Sequence, residues 1–568
     1  MVYSNASRRS ISTTTLAIIV AVIVVVAAVG GAVAYIATRK PVTVTATPTT
    51  VTVTTSIVST TTSVVTTTTS VSVTPITTTT TPSKITLGFY TWWAATGKLA
   101  YDHLDPYFES LYPQYTISPY VAPGGGGVNA KYVIIGMIEA GKPPAMFQSH
   151  SGPEQASYPL ITPGGVHAYI NFTPILISEG AWQAMVPGVR SAITLNGTSL
   201  IAPTNVHMGN ILYINLKILR EYNLPIPTNL SGLIYDTKQL AAHGFTSIWM
   251  IPGGGGGWDQ LNLWQDIFLA LAVQEYGLHG GAVLYNEFVY GTIDLSNASI
   301  LQLINETNQI FLFFAKYDVP GWQSLSWQPG AAELAAGDAV FQANGGWVGL
   351  YLQEFDNITV YPATEPYISW PNVTVVFEPF PGTQGIYAAV IDGISVPVQP
   401  PQYAAEQQGA ELYTKLVTTF TGQEIWTYWK AHSYYDNITP STPNAYYHTS
   451  SFYYTLKQMW TYEYMKNVSP DDWVYQLSDG GLFDDVFEAW DGQVLALQES
   501  GPAYIPTYLA QLASLMHEEC EEWLAAAKIG LGYMGYAGQP LGGYVPPWVI
   551  VPGYYFNSSY TCPTYTLP

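Results

Sequence analysis

Between Lys84 and His150 the spacing of apolar residues alternates between two and 3.6, and few folds accommodate that rhythm. "KITLGFY" carries Ile85, Leu87 and Phe89 at every second position, the period of a strand. Leu104, Tyr107, Phe108 and Leu111 then recur at helical spacing and stop before Pro113. "YTISPYV" reads as a second strand. Val133, Ile134, Met137 and Ile138 read as one face of a second helix, ended by Gly141 and Pro143-Pro144, and "AMFQSH" as a third strand. Strand, helix, strand, helix, strand predicts βαβ units and a mostly parallel sheet, with ligands beyond the C-terminal strand ends. Trp92 with Trp93, Gly124 to Gly127, and Gln148 with His150 all fall at such ends.

What precedes this alternation has no core to offer. Residues 16–37 are an uncharged apolar run of 22, which as a helix at about 1.5 Å per residue spans a bilayer's hydrocarbon core. Two readings stay open, a retained transmembrane anchor and a long cleaved signal helix, with residues 1–15 as the leading segment. Residues 41–83 contain no charge and little but Thr, Val, Ser and Pro, the composition of a glycosylated stalk. Fully extended, the stalk reaches about 140 Å at roughly 3.3 Å per residue. Asn-X-Ser/Thr sequons at Asn171, Asn196, Asn229, Asn297, Asn305, Asn357, Asn372, Asn437, Asn467 and Asn557 exceed chance placement and place the body outside the cell. A membrane-anchored protein of the cell surface is expected.

Charged residues make up only 10% of the 568, against about 25% in an ordinary soluble domain, while aromatics reach 14%. Hydroxyls and sugars would then keep the surface wet, which suits an acidic exterior. The net charge of −21 and the lack of a basic aromatic patch argue against nucleic acid as a partner. Cys520 and Cys562 are the only cysteines, compatible with one bridge or with two separate buried thiols.

Six segments carry a resemblance: "YTWWAATGK", "PGGGGVNAKYVIIGMIEAGKPPAMFQSHSG", "LIAPTNVHMGNILYINLKILREYNLPIPT", "GGGGGWDQLNLWQDIFLAL", "SWQPGAAELAAGDAVFQANGGWVG" and "PGTQGIYAAVIDGISVPVQ". In this order they resemble extracellular solute-binding proteins of family 1, the glucose/mannose- and maltose-type sugar receptors of ABC importers, including membrane-anchored archaeal ones. The resemblance runs from about residue 85 to 445 and leaves 446–568 unaligned. It implies an α/β, two-lobed periplasmic-binding-protein-like fold of type II. Residues 84–193 and 386–430 would form one lobe, and 194–385 and 431–568 the other. It implies a monomer that binds a sugar between the lobes and delivers it to a permease, with no cofactor, no metal and no catalysis.

A sugar needs flat aromatics for its C–H faces and planar polar groups for its hydroxyls. Trp92, Trp93, Trp258, Trp327 and Trp347 are the candidate platforms, although a lone tryptophan is more often core. Of the adjacent pair, one ring should enter the core and one face the cleft, with Trp93 chosen for the cleft. The resemblance adds Gln148, His150, Asp392 and Lys430 as polar contacts and Asn205 and His207 as polar contacts or hinge residues; Gly125, in the glycine run at a strand end, joins the candidates. It departs from the family at Lys98 and Gly346, where acids are usual.

Other chemistries fit less well. Neither glycine run is followed by Lys-Ser/Thr, so a nucleotide-binding loop is rejected. "MHEECEEW" lacks the second histidine of a zinc helix, and a partly exposed helix fits better than a metal site. A glycosidase would need paired carboxylates; Asp471, Asp472, Asp484, Asp485, Glu488 and Asp491 read instead as helix caps and solvated faces. A peptide receptor remains an alternative because the body is long.

Overall fold

The computed structural model describes residues 84–430, 433, 460–461, 463–536, 538–550 and 555–565. The anchor and stalk readings, and Asn437, lie outside the described residues.

The chain begins with the expected alternation: β1 (Ile85–Thr91), α1 (Ala95–Leu111), β2 (Tyr115–Val121), α2 (Val128–Glu139), β3 (Met146–His150) and α3 (Glu154–Ile161). It continues through β4 (Ala202–Met208), β5 (Ile211–Asn215), α4 (Trp258–Val289), α5 (Trp327–Ala336), β6 (Phe341–Asn344), α6 (Trp347–Phe355), β7 (Val360–Pro362) and β8 (Val375–Pro379). Then come β9 (Tyr387–Ser395), α7 (Phe420–Trp429), β10 (Trp473–Tyr475), α8 (Asp484–Ser500) and α9 (Ile505–Lys528).

Two sheets organise these elements. In the larger, β1 pairs in parallel with β2 and β3, as the βαβ reading requires. β9 then runs antiparallel to both β3 and β4, so the sheet is mixed rather than mostly parallel. Residue period alone carries no information about strand direction. In the smaller sheet, β5 lies between β6 and β8, and β7 closes the edge. Strands β4 and β10, drawn from ranges expected in the second lobe, both pair with β9 in the larger sheet.

The inward faces follow charge as well as hydropathy. In α1 the buried stripe is Ala100, Tyr101, Leu104 and Phe108, while Leu111 overhangs into solvent. In α2 Ile134 and Ile138 are buried but Val133 is exposed, contrary to the expected face. The rotation is explained by Lys131, drawn inward to Glu154 at 2.7 Å and Asp484 at 2.9 Å. α4 is long and apolar enough to cross a bilayer, yet every residue from Trp258 to Ala272 is buried in the body, which makes it a core helix. The tail packs on it: Trp490 of α8 meets Trp264 at 5.5 Å and Phe288 at 5.4 Å. Cys520 of α9 is bonded to Cys562, with Cα atoms 5.8 Å apart, so the bridge forms.

Candidate functional site

A cavity of about 510 Å³ opens where β1, β3 and β9 meet the N-terminal ends of α4, α5 and α6. Ten of the twelve sequence-designated contacts line it: Trp92, Trp93, Gly125, His150, His207, Trp258, Trp327, Trp347, Asp392 and Lys430.

Both tryptophans of the pair line the cavity, and Trp93 is the more buried of the two. Odd positions of β1 point inward, and Trp93 keeps that parity with Leu87, Phe89 and Thr91. Its ring lies 5.8 Å from Phe89 and 4.9 Å from Trp426, with the Lys430 ammonium 5.5 Å from its centroid, and is only 4% exposed where it lines the cavity. The half-buried ring is Trp92, flanked by His150 at 5.1 Å and the Lys131 ammonium at 5.6 Å. Across from it Trp258 and Trp347 stand 5.7 Å apart at the N-terminal ends of their helices, and Trp347 meets His207 edge-on at 5.0 Å. Trp327 is half-buried at the start of α5.

Asp392 is the polar hub, because register places it opposite His150 on one side of β9 and Asn205 on the other. Lys430 Nζ lies 2.8 Å from its carboxylate, His207 Nε2 3.3 Å and His150 Nε2 3.4 Å. Burial works to raise the Asp392 carboxyl, but Lys430 and His207 overrule it and hold it well below the usual range. Gln148 and Asn205 stand behind this wall rather than in it. Gln148 accepts from the Thr91 hydroxyl (2.6 Å) and the Trp92 amide (3.1 Å) and donates to Asp392 (3.3 Å). Asn205 donates to Asp392 (2.8 Å) and accepts from Trp426 Nε1 (2.9 Å). Both orient the residues that face the cavity.

A second layer of charge escaped the sequence reading. Glu154, in the first turn of α3, accepts from the His150 backbone amide at 2.8 Å and meets its Nδ1 at 2.7 Å. Burial alone would lower the His150 pKa; Glu154 first, then Asp392 and Asp479, raise it. Glu154 in turn is held down by His150 and Lys131 against its own burial. Asp484 belongs to this buried group through Lys131 and is not the solvated cap expected of it. Two more acids line the cavity. Asp259 accepts from Asn344 Nδ2 at 2.8 Å while its other oxygen has no protein partner, and burial pushes its carboxyl well up. Asp479 is pushed up to about 7, chiefly by burial. Asp259 follows Trp258 directly and was visible in sequence; Asp479 sits in the unaligned tail, where nothing marked it.

The glycine runs serve close packing. A Cβ on Gly125 would stand 2.8 Å from the Gly255 carbonyl oxygen and from Trp258 Cβ, so the runs meet backbone to backbone beside the cavity. None of the six acids considered for hydrolysis lines the cavity. Lys98 pairs with Asp102 one turn along α1, at the surface. His517 Nδ1 lies 3.0 Å from the Pro563 carbonyl, one residue beyond the disulfide. Of the nine described sequon asparagines, seven are exposed and two, Asn305 and Asn557, half-buried.

No protein-family model matches the chain. Among solved structures it resembles a chitin oligosaccharide binding protein, with a TM-score of 0.60, 15% identity, and coverage of 77% of this chain and 99% of that one. It also resembles maltose-bound MalE3 of T. maritima, with a TM-score of 0.53, 15% identity, and coverage of 76% and 98%. The fold is thus that of the maltose-binding type of solute receptor. In sequence it is 48% identical over 468 residues to the glucose-binding protein GlcS of Saccharolobus solfataricus, spanning 82% of this chain and 80% of that protein. It is 26% identical over 343 residues to an uncharacterised ABC transporter extracellular-binding protein of Pyrococcus horikoshii, spanning 59% and 68%. The chain belongs to the sugar-binding proteins of ABC transporters.

Proposed function

We propose that the cavity captures a hexose, glucose or mannose, and that the ligand-bound form docks on an ABC permease. The observation that carries this reading is the pairing of aromatic rings with one hydrogen-bonding hub: Trp92, Trp93, Trp258, Trp327 and Trp347 line the same cavity as Asp392, Lys430, His150 and His207. A volume of about 510 Å³ falls within the roughly 300–1,000 Å³ usual for small-molecule sites. Ring faces take the C–H surface of a pyranose, and Asp392 and Lys430 accept from and donate to adjacent hydroxyls. Asp259, whose carboxyl burial pushes well up, has a spare oxygen for one more.

On this reading the lobes divide as 84–193 with 386–430 and 194–385 with 431–568, except that β4 and β10 add to the larger sheet beside β9, and they close around the sugar. The protein acts as a monomer, anchored by residues 16–37, raised on the 41–83 stalk and glycosylated at its exposed sequons. GlcS, at 48% identity, is named for glucose. The test is intrinsic tryptophan fluorescence during titration with a panel of mono- and disaccharides at acidic and neutral pH. A saturable change with glucose or mannose is expected; a flat response across the panel would contradict the proposal.

A further inference from the structure

Away from the cavity, a groove of about 590 Å³ runs between β7 and the residues before β10, lined by Pro362, Tyr367, Trp460, Glu463, Tyr464 and Asn467 among others. Its floor is aromatic. Trp460 and Tyr464 stack with centroids 5.3 Å apart, Phe377 closes edge-on behind Trp460 at 5.1 Å, and Tyr367 stacks on Tyr361 at 5.4 Å and meets Trp370 at 5.1 Å. All of these rings but Phe377 are half-buried. Tyr464 is fixed in place, its hydroxyl accepting from the Gly385 amide (2.6 Å) and donating to the Ile386 carbonyl (3.2 Å). Among the described residues that line it there is no cation, and Glu463 is the single acid. Fixed, flat, half-exposed rings with few charges suit the C–H faces of a sugar.

Asn467, which opens the sequon Asn467-Val468-Ser469, stands in the wall of this groove and is exposed. One hydrogen of its Nδ2 is committed to the Glu463 carbonyl at 2.7 Å, which fixes the plane of the amide and leaves the other hydrogen for substitution. We propose that a glycan on Asn467 folds back into this groove, so that Tyr367, Trp460 and Tyr464 form a carbohydrate-binding site for the protein's own sugar chain. The linkage forms when Nδ2 attacks the anomeric carbon of a lipid-diphosphate-linked oligosaccharide. The C–N bond forms, the C–O bond to the diphosphate breaks, the lipid diphosphate leaves as an anion, and the amide releases one proton. The remaining N–H keeps its bond to Glu463, so the first sugar starts from a fixed position beside the rings. This site is independent of which sugar the main cavity takes.

The test compares the full-length protein from a glycosylating host with Asn467→Gln and, as a control, Asn297→Gln. Glycopeptide mass spectrometry reads occupancy, and amide hydrogen exchange reads the groove at residues 366–370 and 463–468. Expected is an occupied Asn467, with exchange in both segments faster by about threefold or more in Asn467→Gln and unchanged in Asn297→Gln. Trimming the glycan from the folded wild-type protein should give the same acceleration without any substitution. An unoccupied Asn467 would overturn the proposal. So would unchanged exchange after removal, which would mean that the protein chain itself covers the rings.

Discussion

Two adjacent tryptophans illustrate how much one residue's parity decides. Trp93 continues the inward side of β1 and packs on Phe89 and Trp426, so Trp93→Ala removes buried volume and should cost about 3–5 kcal/mol of stability. Trp92 turns out beside His150, and Trp92→Ala should leave the melting temperature within a few degrees of wild type by differential scanning calorimetry. Equal losses for the two variants would contradict the assignment. The parity was present in the sequence, since Leu87, Phe89 and Trp93 share odd numbers. Alternation divided the pair without saying which ring packs inward; the Trp93 amide, donating to the Thr91 hydroxyl at 3.0 Å, continues the inward side past the strand.

At the scale of elements, β3 and α3 act together through Glu154, which fixes His150 from behind. Glu154 raises the His150 pKa, so the imidazolium and its interactions are fully present below about 6.5 and are lost as pH rises through the folded value. Glu154→Gln should lower that value, so ligand binding should begin to decline at a lower pH than in wild type. An unchanged pH profile of affinity would show that Glu154 is only structural. Elements with a clear period were legible from sequence: β1, α1, β2, α2 and β3 all form where apolar spacing placed them. The antiparallel course of β9, the insertion of β10 into the larger sheet, and Asp479 were not. Strand direction and long-range pairing leave no mark on local spacing. The inward turn of α2 was missed because a lysine there is buried by two carboxylates rather than by hydropathy. The bridge from α9 to Cys562 closes a loop whose ends are separated by 42 positions in sequence. Reduction should therefore lower the unfolding free energy by about 4 kcal/mol, read by denaturant titration with and without reductant.

For the whole molecule, the buried carboxyls set the pH at which it is most stable. Burial pushes Asp105 and Asp318 up to about 7 and Glu378 and Asp491 up to about 8. In each case the folded state holds its proton through a range in which the unfolded chain, with carboxyl pKa values near 4, has lost it. Stability is therefore greatest below that range and falls as pH rises from about 4 to about 8. Asp392 and Glu154, held low, oppose this only at the acid end, where their contribution is lost as pH falls below about 4. The melting temperature should be higher at pH 5 than at pH 8; the reverse order would show that the carboxyls are not buried as described.

Ring-face capture of a hexose around Asp392 is tested most directly by isothermal titration of the full-length protein with glucose and mannose, run in parallel on Trp92→Ala. One-to-one saturable heat with at least one of these sugars, and affinity weaker by about tenfold in Trp92→Ala, are predicted. No heat with either sugar, or equal affinity in the two proteins, would contradict the assignment of this cavity as the sugar site.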